Sequence, residues 1–497
     1  MPPLKVAIIG GGAAAAGILH GLELSPARCE ITLFHPDRPF DPPLPSTPTD
    51  DPQRSADYFA DLYRHLRRAH GITFPPPKTH FGLSPLKRST VGGASLWEAP
   101  VLGGLTNFWG ASAVPFTERE LGGWPISRGE LAEYYQQVAD TIGIAGVNDN
   151  LTHYFGRDFI TRPAVPPIPL AQRLSERMAP SAGNYSFFAG LSRLAVETRM
   201  DHYNRCIRCG NCMTGCGTGS IYSARTDLQR QIAKGRVHKV AEAVQSVDFR
   251  RRSLRLDGAA DWHSFDRIFL AAGCIGSTEL IIRSLGIKEG PVMVDNVTYT
   301  FPIFYLGKAI RDAEPKSYFG LTNTAVICAP HSAEAHSSFI QIYPLFDHLW
   351  RYFVPVGFWP VFAPLAARLR GRMLIARLYL HSSHGASYGF SMVNDSHVEI
   401  SCIREPRQLA EASGLWAAIR SAVCRNGFFI PPMRPIRHAA NSHYAASFPL
   451  GGALVDRDGR LGDGIYLCDA ANFIDGPALS PTLTIMANAA RIAYQSL

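Results

Sequence analysis

The sequence lacks the features of a membrane-spanning, fibrous or disordered protein. No segment reaches the roughly 18–20 uncharged apolar residues that a transmembrane helix needs. Charged residues make up only 18% of the 497 residues and apolar residues 46%, which excludes an intrinsically disordered, collagen-like or coiled-coil chain. We find no internal repeat and no low-complexity tract. At about 100–200 residues per domain, the length allows two to four domains with an ample buried core.

Net charge and cysteine content are also small for a chain of this size. The 49 basic and 41 acidic side chains leave a formal charge of +8, an excess too thin to indicate nucleic-acid binding unless it is clustered. Ten cysteines are too few for a disulfide-stapled scaffold. Four of them lie within residues 206–216, however, and this clustering indicates a cofactor.

The N-terminal segment has the pattern of a dinucleotide-binding unit. Its periodicity predicts a buried strand, a helix and a second strand, at 4–9, 13–23 and 29–34. Between the first strand and the helix, Gly10, Gly12 and Ala15 fit the motif G-x-G-x-x-A. The first glycine permits a tight turn, the second lets the backbone approach a pyrophosphate, and the small third residue lets the helix pack closely on the sheet.

The position that usually binds the ribose departs from this pattern. The second strand should end on an acid that hydrogen-bonds the ribose hydroxyl. Here that position is His35, with Asp37 two residues on. Either side chain can hydrogen-bond a ribose, so the motif alone leaves the choice between FAD and NAD open.

Because Gly10-Gly11-Gly12 would break a signal-peptide helix at its centre, we expect a cytoplasmic protein.

The rest of the chain divides into segments of different character. Seven prolines at 36–52 predict a surface loop. Helical periodicity that ends on a glycine predicts helices at 55–71 and 128–143. Residues 92–116 are dense in glycine and aromatic residues, which indicates close approach of the backbone to a ligand. Alternation of apolar and polar residues over 295–400 predicts antiparallel strands.

Several segments match one known family in the same chain order. They are the N-terminal glycine motif, GGLTNFWGASAVPF at 103–116, WPISRGELAEYY at 124–135, FLAAGCIGSTELIIRS at 269–284, and a C-terminal block with Asn441-Ser442-His443-Tyr444, Phe448-Pro449-Leu450-Gly451-Gly452 and residues 464–493. Together they resemble the glucose–methanol–choline (GMC) oxidoreductases, which are FAD-dependent alcohol oxidases and dehydrogenases. The resemblance covers both ends and the middle of the chain.

The resemblance implies an α/β fold, α+β overall, in which a Rossmann-type FAD-binding domain is interleaved with a substrate domain built on an antiparallel sheet. We expect residues 1–145, 206–295 and 435–497 to form the discontinuous FAD-binding domain. Residues 146–205 and 296–434 are then the substrate-binding domain.

The resemblance also implies which residues contact the flavin. Besides the glycine motif and His35, these are Asn107, Trp109, Gly110, Ala272, Asp469, Ala470, Pro481 and Thr482. For two of these assignments, the residue types also allow a purely structural role, and that alternative stays open. Asp469 has the position of a helix N-cap, and the 107–110 segment has the composition of a packed glycine turn.

Oxidation of an alcohol by hydride transfer requires a base beside the reacting C–H bond, and histidine suits this role because its ordinary pKa of about 6.5 is close to neutral. The resemblance places that base at His443. The family's second catalytic position, usually Asn or His before a proline, falls on Ser480. A serine hydroxyl cannot serve as a base and can only orient substrate or water. Catalysis then rests on His443 alone, or Asn441 or His438 assists it.

The cysteine cluster Cys206, Cys209, Cys212 and Cys216 has the spacing of a bacterial ferredoxin run. Gly217 stands where a proline usually follows the fourth cysteine, and the chain contains a single run. Three interpretations stay open: an iron–sulfur cluster, a zinc site through the same thiolates, and a metal-free loop. A cluster would offer electrons an exit other than oxygen and so favour a dehydrogenase over an oxidase.

An apolar, arginine-rich insert is expected at 343–378. YFVPVGFWPVFAPLAA at 352–367 carries no charge, and no acidic residue occurs between Asp347 and Asp395. The flanking basic residues are Arg351, Arg368, Arg370, Arg372 and Arg377. An apolar segment with a basic rim fits contact with a membrane surface or a lipid-linked substrate, a lid over the active site, or a dimer interface.

Taken together, these features predict FAD-dependent oxidation of a primary or secondary alcohol, such as a sugar, polyol or lipid-linked sugar. The electrons would pass to an acceptor protein or quinone, and no nucleic acid is expected as a partner. The alternative is an electron-transfer or binding flavoprotein that has lost alcohol oxidation, motivated by Ser480 and His35. We expect a cytoplasmic protein, with peripheral contact at the inner face of the membrane if the apolar insert binds lipid.

Overall fold

The computed structural model describes residues 2–36, 84–85, 90–91, 96–208, 212, 216, 218–310, 320–345, 358–395, 397–409, 414–438 and 442–497. Apart from Pro36, the predicted proline-rich loop at 36–52 lies outside these residues. The predicted helix at 55–71 lies outside them as well, and so do Asn441 and Cys209.

The described strands are, in chain order, β1 Leu4–Ile9, β2 Cys29–Phe34, β3 Ser84–Pro85, β4 Thr90–Val91, β5 Trp97–Glu98, β6 Ile144–Gly146, β7 Arg162–Pro163, β8 Ser181–Ala182, β9 Tyr185–Leu191, β10 Leu194–Ala195, β11 Val237–Val240, β12 Val244–Asp248 and β13 Ser253–Leu256. They continue with β14 Trp262–Ser264, β15 Arg267–Leu270, β16 Glu289–Val294, β17 Val297–Tyr305, β18 Thr324–Pro330, β19 Ser338–Pro344, β20 Met373–Leu380, β21 Ser387–Asn394, β22 His397–Arg404, β23 Phe428–Phe429, β24 Ile436–His438, β25 Arg460–Gly462 and β26 Ile465–Leu467.

The described α-helices are α1 Ala13–Leu24, α2 Arg128–Ile142, α3 Asn150–Phe155, α4 Pro169–Arg177, α5 Ala224–Ala233, α6 Gly273–Leu285, α7 Trp359–Arg370, α8 Leu415–Val423 and α9 Thr482–Gln495. Short 3₁₀ helices lie at Gly104–Asn107, Ser382–His384 and Ala470–Asn472. No helix in these parts of the chain is long and apolar enough to span a membrane.

A parallel sheet forms the first half of the fold. Its strand order is β11-β2-β1-β15-β26-β25, and only β25 pairs antiparallel. Val6 and Ile8 face one core and Ala7 and Ile9 the other, so β1 is apolar on both sides, as a central parallel strand must be. The strand–helix–strand order predicted for residues 4–34 is confirmed.

Helices α1 and α9 pack side by side along one face of this sheet. A Cβ on Gly17 would collide with the backbone at Met486, and one on Gly21 with the backbone at Ala490. Both contacts have the same spacing of four residues, so the two helices run parallel and in register. Their N-termini, at Ala13 and Thr482, therefore lie at the same end.

An eight-stranded sheet forms the second half, with the order β23-β17-β20-β19-β18-β9-β8 and with β24 paired to β17. Its strand pairs are antiparallel. One face, which includes Phe301, Val326 and Leu378, packs against helices α4 and α8. The opposite face turns toward the core shared with the parallel sheet, and Phe339 and Tyr379 belong to that core. The predicted fold class, a Rossmann-type sheet with an antiparallel sheet interleaved in the chain, is confirmed.

The predicted insert at 343–378 is partly wrong. Residues 373–380 form β20, a central strand of the antiparallel sheet, and β19 extends to Pro344. Side chains along β20 alternate between the two faces of the sheet, so Arg377 is part of a strand and not of a basic rim. Within the predicted insert, helix α7 presents Phe358, Val361 and Leu365 to solvent from its start and outer side.

Candidate active site

Three helices begin at the carboxyl edge of the parallel sheet without side-chain caps. The residues before α1, α6 and α9 are Gly12, Ala272 and Pro481, and none makes a side-chain cap hydrogen bond. The first turns of all three helices also lack acidic residues. An uncapped helix N-terminus carries unpaired N–H groups and partial positive charge, so this edge suits an anionic ligand.

Three of the other six described helices are capped by their own side chains, whereas α4, α7 and α8 are not. Ser127 caps α2, Asp149 caps α3 and Ser223 caps α5, each accepting a hydrogen bond from a backbone N–H of the first turn. The chain therefore contains good capping residues and uses them at other helices. The uncapped ends of α1, α6 and α9 differ from those of α4, α7 and α8 in lying together at one edge of the parallel sheet, which supports a ligand there.

The glycine motif forms a tight turn with one open side. Gly10 has φ +116°, and a Cβ there would collide with the carbonyl oxygen of Ala271. A Cβ on Gly12, in contrast, would meet no atom within 4 Å. Gly103 crosses above the turn and donates its N–H to Gly11 at 2.6 Å. Ala15 is fully buried in the contact of the helix with the sheet. The open side at Gly12 leaves room for a ligand to approach the backbone.

His35 lies at the end of β2, directly beside this turn. Its side chain is 6% exposed and packs against Gly11, since a Cβ on that glycine would lie 2.7 Å from the imidazole. Its backbone N–H donates to Val240 on the neighbouring strand. The structure thus places His35 at the position where the motif usually has the ribose-binding acid.

The 107–110 segment uses most of its polar groups within the protein. The side-chain amide of Asn107 donates to the carbonyl oxygens of Leu102 and Gly104, and its oxygen accepts from Ser223. The indole N–H of Trp109 donates to the carbonyl of Tyr222 at 2.8 Å. Gly110 is exposed, and a Cβ there would meet nothing within 4 Å.

Asp469 is buried behind the start of α6. Its carboxylate accepts hydrogen bonds from the Ser277 hydroxyl at 2.5 Å and from the Ala471 N–H at 3.0 Å, so it caps the 3₁₀ helix that begins at Ala470. Burial raises the pKa of Asp469 to about 6. Ala470 is buried, whereas Ala272, Pro481 and Thr482 are at least partly exposed. Asp469 therefore makes the hydrogen bond of an N-cap residue, which is one of the alternatives that the sequence leaves open for it.

His443 lies between the two halves of the fold. Its backbone N–H donates to the Asp295 carboxylate at 3.0 Å, and its ring stacks on Tyr379 with centroids 5.6 Å apart. Its Nδ1 atom is buried and has no hydrogen-bond partner among the described residues. Burial, and then the charge of Arg377, lower the pKa of His443 to about 4. The imidazole is therefore neutral near pH 7 and can accept a proton.

The antiparallel sheet presents polar side chains to the same region. Arg377 donates to the Thr298 hydroxyl, and its guanidinium lies 5.3 Å from the Tyr379 ring centre. Gln341 accepts hydrogen bonds from Tyr343 at 2.6 Å and from Tyr379 at 3.3 Å. Strand register places Gln341 directly opposite Arg377. We call Thr298, Gln341, Tyr343, Arg377 and Tyr379 the polar face.

The sequence alone does not indicate the polar face. Its signal is the alternation of polar with apolar residues along β19 and β20. That signal does not specify which strands pair with each other. The arginines that flank the apolar segment indicate a basic rim that includes Arg377. The structure instead sets Arg377 inside the sheet, close enough to His443 to lower its pKa.

Of the other catalytic candidates, His438 lies beside the polar face. His438 hydrogen-bonds Thr300 at 3.0 Å, and burial with Arg377 lowers its pKa to about 4. Ser480 is 9% exposed and lies two residues before α9. The loop before it is held by Asn296, whose amide donates to the carbonyls of Gly476 and Pro477.

The structure describes three of the four clustered cysteines. Cys212 is buried, and Cys206 and Cys216 are partly buried. Burial raises the pKa of the Cys216 thiol, but hydrogen bonds with Ser220 and Thr218 outweigh it and lower the pKa overall. Because Cys209 is not described, the iron–sulfur, zinc and metal-free interpretations all stay predictions.

No family model and no curated protein matches this chain. Solved structures do match its fold over nearly the whole length. Pyridoxine 4-oxidase from Mesorbium loti is similar with a TM-score of 0.60, 14% sequence identity and 99% of each chain covered. An FAD-dependent oxidoreductase from Chaetomium thermophilum is similar with a TM-score of 0.55 and 13% identity, over 99% of this chain and 98% of that one. The chain therefore has the mixed α/β fold of these oxidoreductases.

Proposed function

We propose that the protein is an FAD-dependent oxidoreductase of the GMC type that oxidises an alcohol group, with His443 as the base. The observation that carries the proposal is the buried, neutral imidazole of His443, whose Nδ1 has no hydrogen-bond partner among the described residues and which lies beside a polar sheet face. The similarity in fold to FAD-dependent oxidoreductases supports a flavin partner.

The residues at the carboxyl edge of the parallel sheet fit FAD. The uncapped N-termini of α1 and α9 lie at the same end of the sheet, and the open side of Gly12 leaves room for a pyrophosphate. His35 is positioned to hydrogen-bond the ribose in place of the usual acid. Bound FAD would supply the hydride acceptor.

His443 accepts the hydroxyl proton of the substrate. Its low pKa keeps it unprotonated, and the nearby positive charge of Arg377 stabilises the negative charge that develops on the substrate oxygen. Ser480 holds substrate or a water molecule without taking a proton. His438 is a second neutral imidazole near Arg377 and is the described candidate for an assisting role.

The polar face favours a hydroxyl-rich substrate such as a sugar or polyol. Its amide, phenol and guanidinium groups offer donors and acceptors in a buried setting, where an unmatched polar group is costly. A lipid-linked sugar would in addition place an apolar chain near the exposed side chains of α7, at a membrane surface. The electrons then pass to an acceptor protein or quinone in a cytoplasmic enzyme.

Anaerobic mixing with a panel of sugars, polyols, sterols and pyridoxine tests the proposal. We expect bleaching of the flavin absorbance by at least one alcohol and its loss in His443→Ala. His331→Ala, at an exposed histidine away from the polar face, is the matched control and should bleach normally. Flavin that no alcohol reduces would favour the alternative, an electron-transfer or binding flavoprotein.

A further inference from the structure

A second cluster of titratable side chains lies outside the proposed catalytic groups. It consists of His336 in the turn before β19, His381 at the end of β20 and Asp475 in the loop before Ser480. Strand register sets Phe339 opposite Tyr379, and this brings His336 and His381 to the same end of the sheet. The imidazole rings stack with centroids 3.4 Å apart and planes inclined by 2°.

The donor atoms of this cluster lie close together, but the stacked rings hold their nitrogen lone pairs in parallel planes. The exposed His336 ring must therefore turn out of the stack before both imidazoles can bind one ion. One nitrogen from each histidine and one oxygen of Asp475 all lie within 4.8 Å of one another. A cavity of about 10 Å³, the size of one water molecule or ion, is lined by His336 and His381. We propose that His336, His381 and Asp475 bind a divalent first-row transition-metal ion such as Zn²⁺.

Two buried atoms of the cluster lack hydrogen bonds within the described residues. They are Nε2 of His381, a residue only 6% exposed, and Oδ1 of Asp475. Nε2 approaches Oδ2 of Asp475 to 3.2 Å without forming an aligned hydrogen bond. Buried polar atoms are costly to leave unpaired, and a bound cation would satisfy both.

The second nitrogen of His381 lies beside Ser383, whose hydroxyl and backbone N–H favour different tautomers of the ring. Nδ1 lies 3.0 Å from the hydroxyl of Ser383, to which it can donate when Nε2 binds metal. The backbone N–H of Ser383 also lies 3.1 Å from Nδ1 and favours the opposite tautomer. Metal binding must therefore move the proton from Nε2 to Nδ1, so the two tautomers compete.

A neighbouring arginine fixes the turn beside the cluster. Arg119 lines the same cavity and donates at 2.7 Å to the carbonyls of both Ser332 and Ala335, which holds the turn that carries His336. Two imidazoles with one carboxylate suit zinc and similar ions, whereas Mg²⁺ and Ca²⁺ prefer all-oxygen ligands.

The ion would connect three segments distant in sequence. These are the turn at 331–337, the end of β20 and the loop that precedes Ser480. The last two are already joined, since Ser382 and Gly476 exchange hydrogen bonds at 2.9 Å. The metal would thus clip the antiparallel sheet to the C-terminal loop of the flavin-binding half.

Metal titration of the flavin-loaded, full-length protein after chelator dialysis tests this site. We expect Zn²⁺ to bind with one more equivalent in the wild type than in His336→Ala, an exposed position whose change spares the fold. Asp475→Asn, of the same shape, should weaken Zn²⁺ by more than the roughly 10–100-fold that the loss of an outer-shell partner costs. His331→Ala, in the same turn, should bind like the wild type.

Co²⁺ separates this site from the cysteine cluster, because nitrogen and oxygen ligands do not produce the charge-transfer absorption of thiolates. We expect a Co²⁺ spectrum without thiolate bands that disappears in His336→Ala. Equal Zn²⁺ stoichiometry and affinity in the wild type, His336→Ala and Asp475→Asn would overturn the proposal. The same conclusion would follow if His331→Ala weakened binding as much as His336→Ala.

Discussion

At the scale of single residues, the fold controls the protonation of His443 by position alone. Burial removes water that would stabilise the imidazolium, and Arg377 adds a repulsive charge, so both effects lower the pKa. The same arginine acts on His438. Burial is the larger cause of both low pKa values, and one side chain on the polar face adds to it at both histidines.

The pH dependence of substrate oxidation follows from this. With a pKa of about 4 for His443, the unprotonated base predominates at every higher pH. We expect kcat/KM for flavin reduction to stay level from about pH 8 down to about pH 5, whereas a base with the ordinary pKa of about 6.5 would lose about tenfold by pH 5.5. Anaerobic stopped-flow reduction across this range measures it.

Arg377→Met is the informative variant for this profile. It removes the charge while keeping a side chain of similar length, so the pKa of His443 should rise and the loss of rate should begin at a higher pH. The shapes of the wild-type and variant pH profiles are compared, and not the absolute rates, because the variant also changes substrate binding. A wild-type midpoint near 6.5 would contradict the assignment of His443 as the buried base.

At the scale of elements, the glycines within α1 and the glycine just before it have different roles. Gly17 and Gly21 let the backbones of α1 and α9 touch, whereas Gly12 borders open space. Gly12 also has φ −106°, so another residue is not strained there. Helix packing and ligand approach are thus separable by substitution.

We expect Gly17→Ala to destabilise the protein by about 1–3 kcal/mol, because its Cβ would collide with the backbone of α9. Gly12→Ala should change stability by less than about 0.5 kcal/mol but weaken FAD binding, because its Cβ would occupy the open side. Urea unfolding of the apoprotein and flavin fluorescence titration measure the two effects. A loss of stability in Gly12→Ala as large as in Gly17→Ala would argue against this division.

At the scale of the whole molecule, a buried ion cluster joins segments far apart in the chain. Arg193, 1% exposed, donates to Asp158 at 2.6 Å and lies 3.0 Å from Asp149. Asp149 caps α3 and also accepts from the N–H of Leu191 at the end of β9. The cluster thus holds the edge of the antiparallel sheet against α3.

Removing one carboxylate of this cluster should destabilise the fold, because the buried charge of Arg193 is then balanced by fewer negative charges. We expect Asp158→Asn to lower the free energy of unfolding by about 3–5 kcal/mol. Asp463→Asn is the control, since its pair with Arg252 is exposed and should be worth less than about 1 kcal/mol. Similar losses in both variants, measured by urea unfolding, would show that burial is not the deciding factor.

Much of the nucleotide half could be predicted, because its signals are local. The strand at 4–9, the glycine turn and the helix after it occupy consecutive residues, and Ser127 with Glu130 marks the start of α2 as a capping box. The domain boundaries stay a prediction. His443 is predicted as the base only because the chain resembles the GMC oxidoreductases, since a lone histidine in a loop carries no local signal of catalysis.

The sequence by itself determined the strand–helix–strand order of residues 4–34, the place of the glycine motif and the candidates His443 and Ser480. Only the tertiary structure decided that Arg377 faces His443, and that His336, His381 and Asp475 meet. The reason is strand register. Side chains in β19 and β20 become neighbours through pairing between distant segments, and nothing in either segment alone specifies its partner.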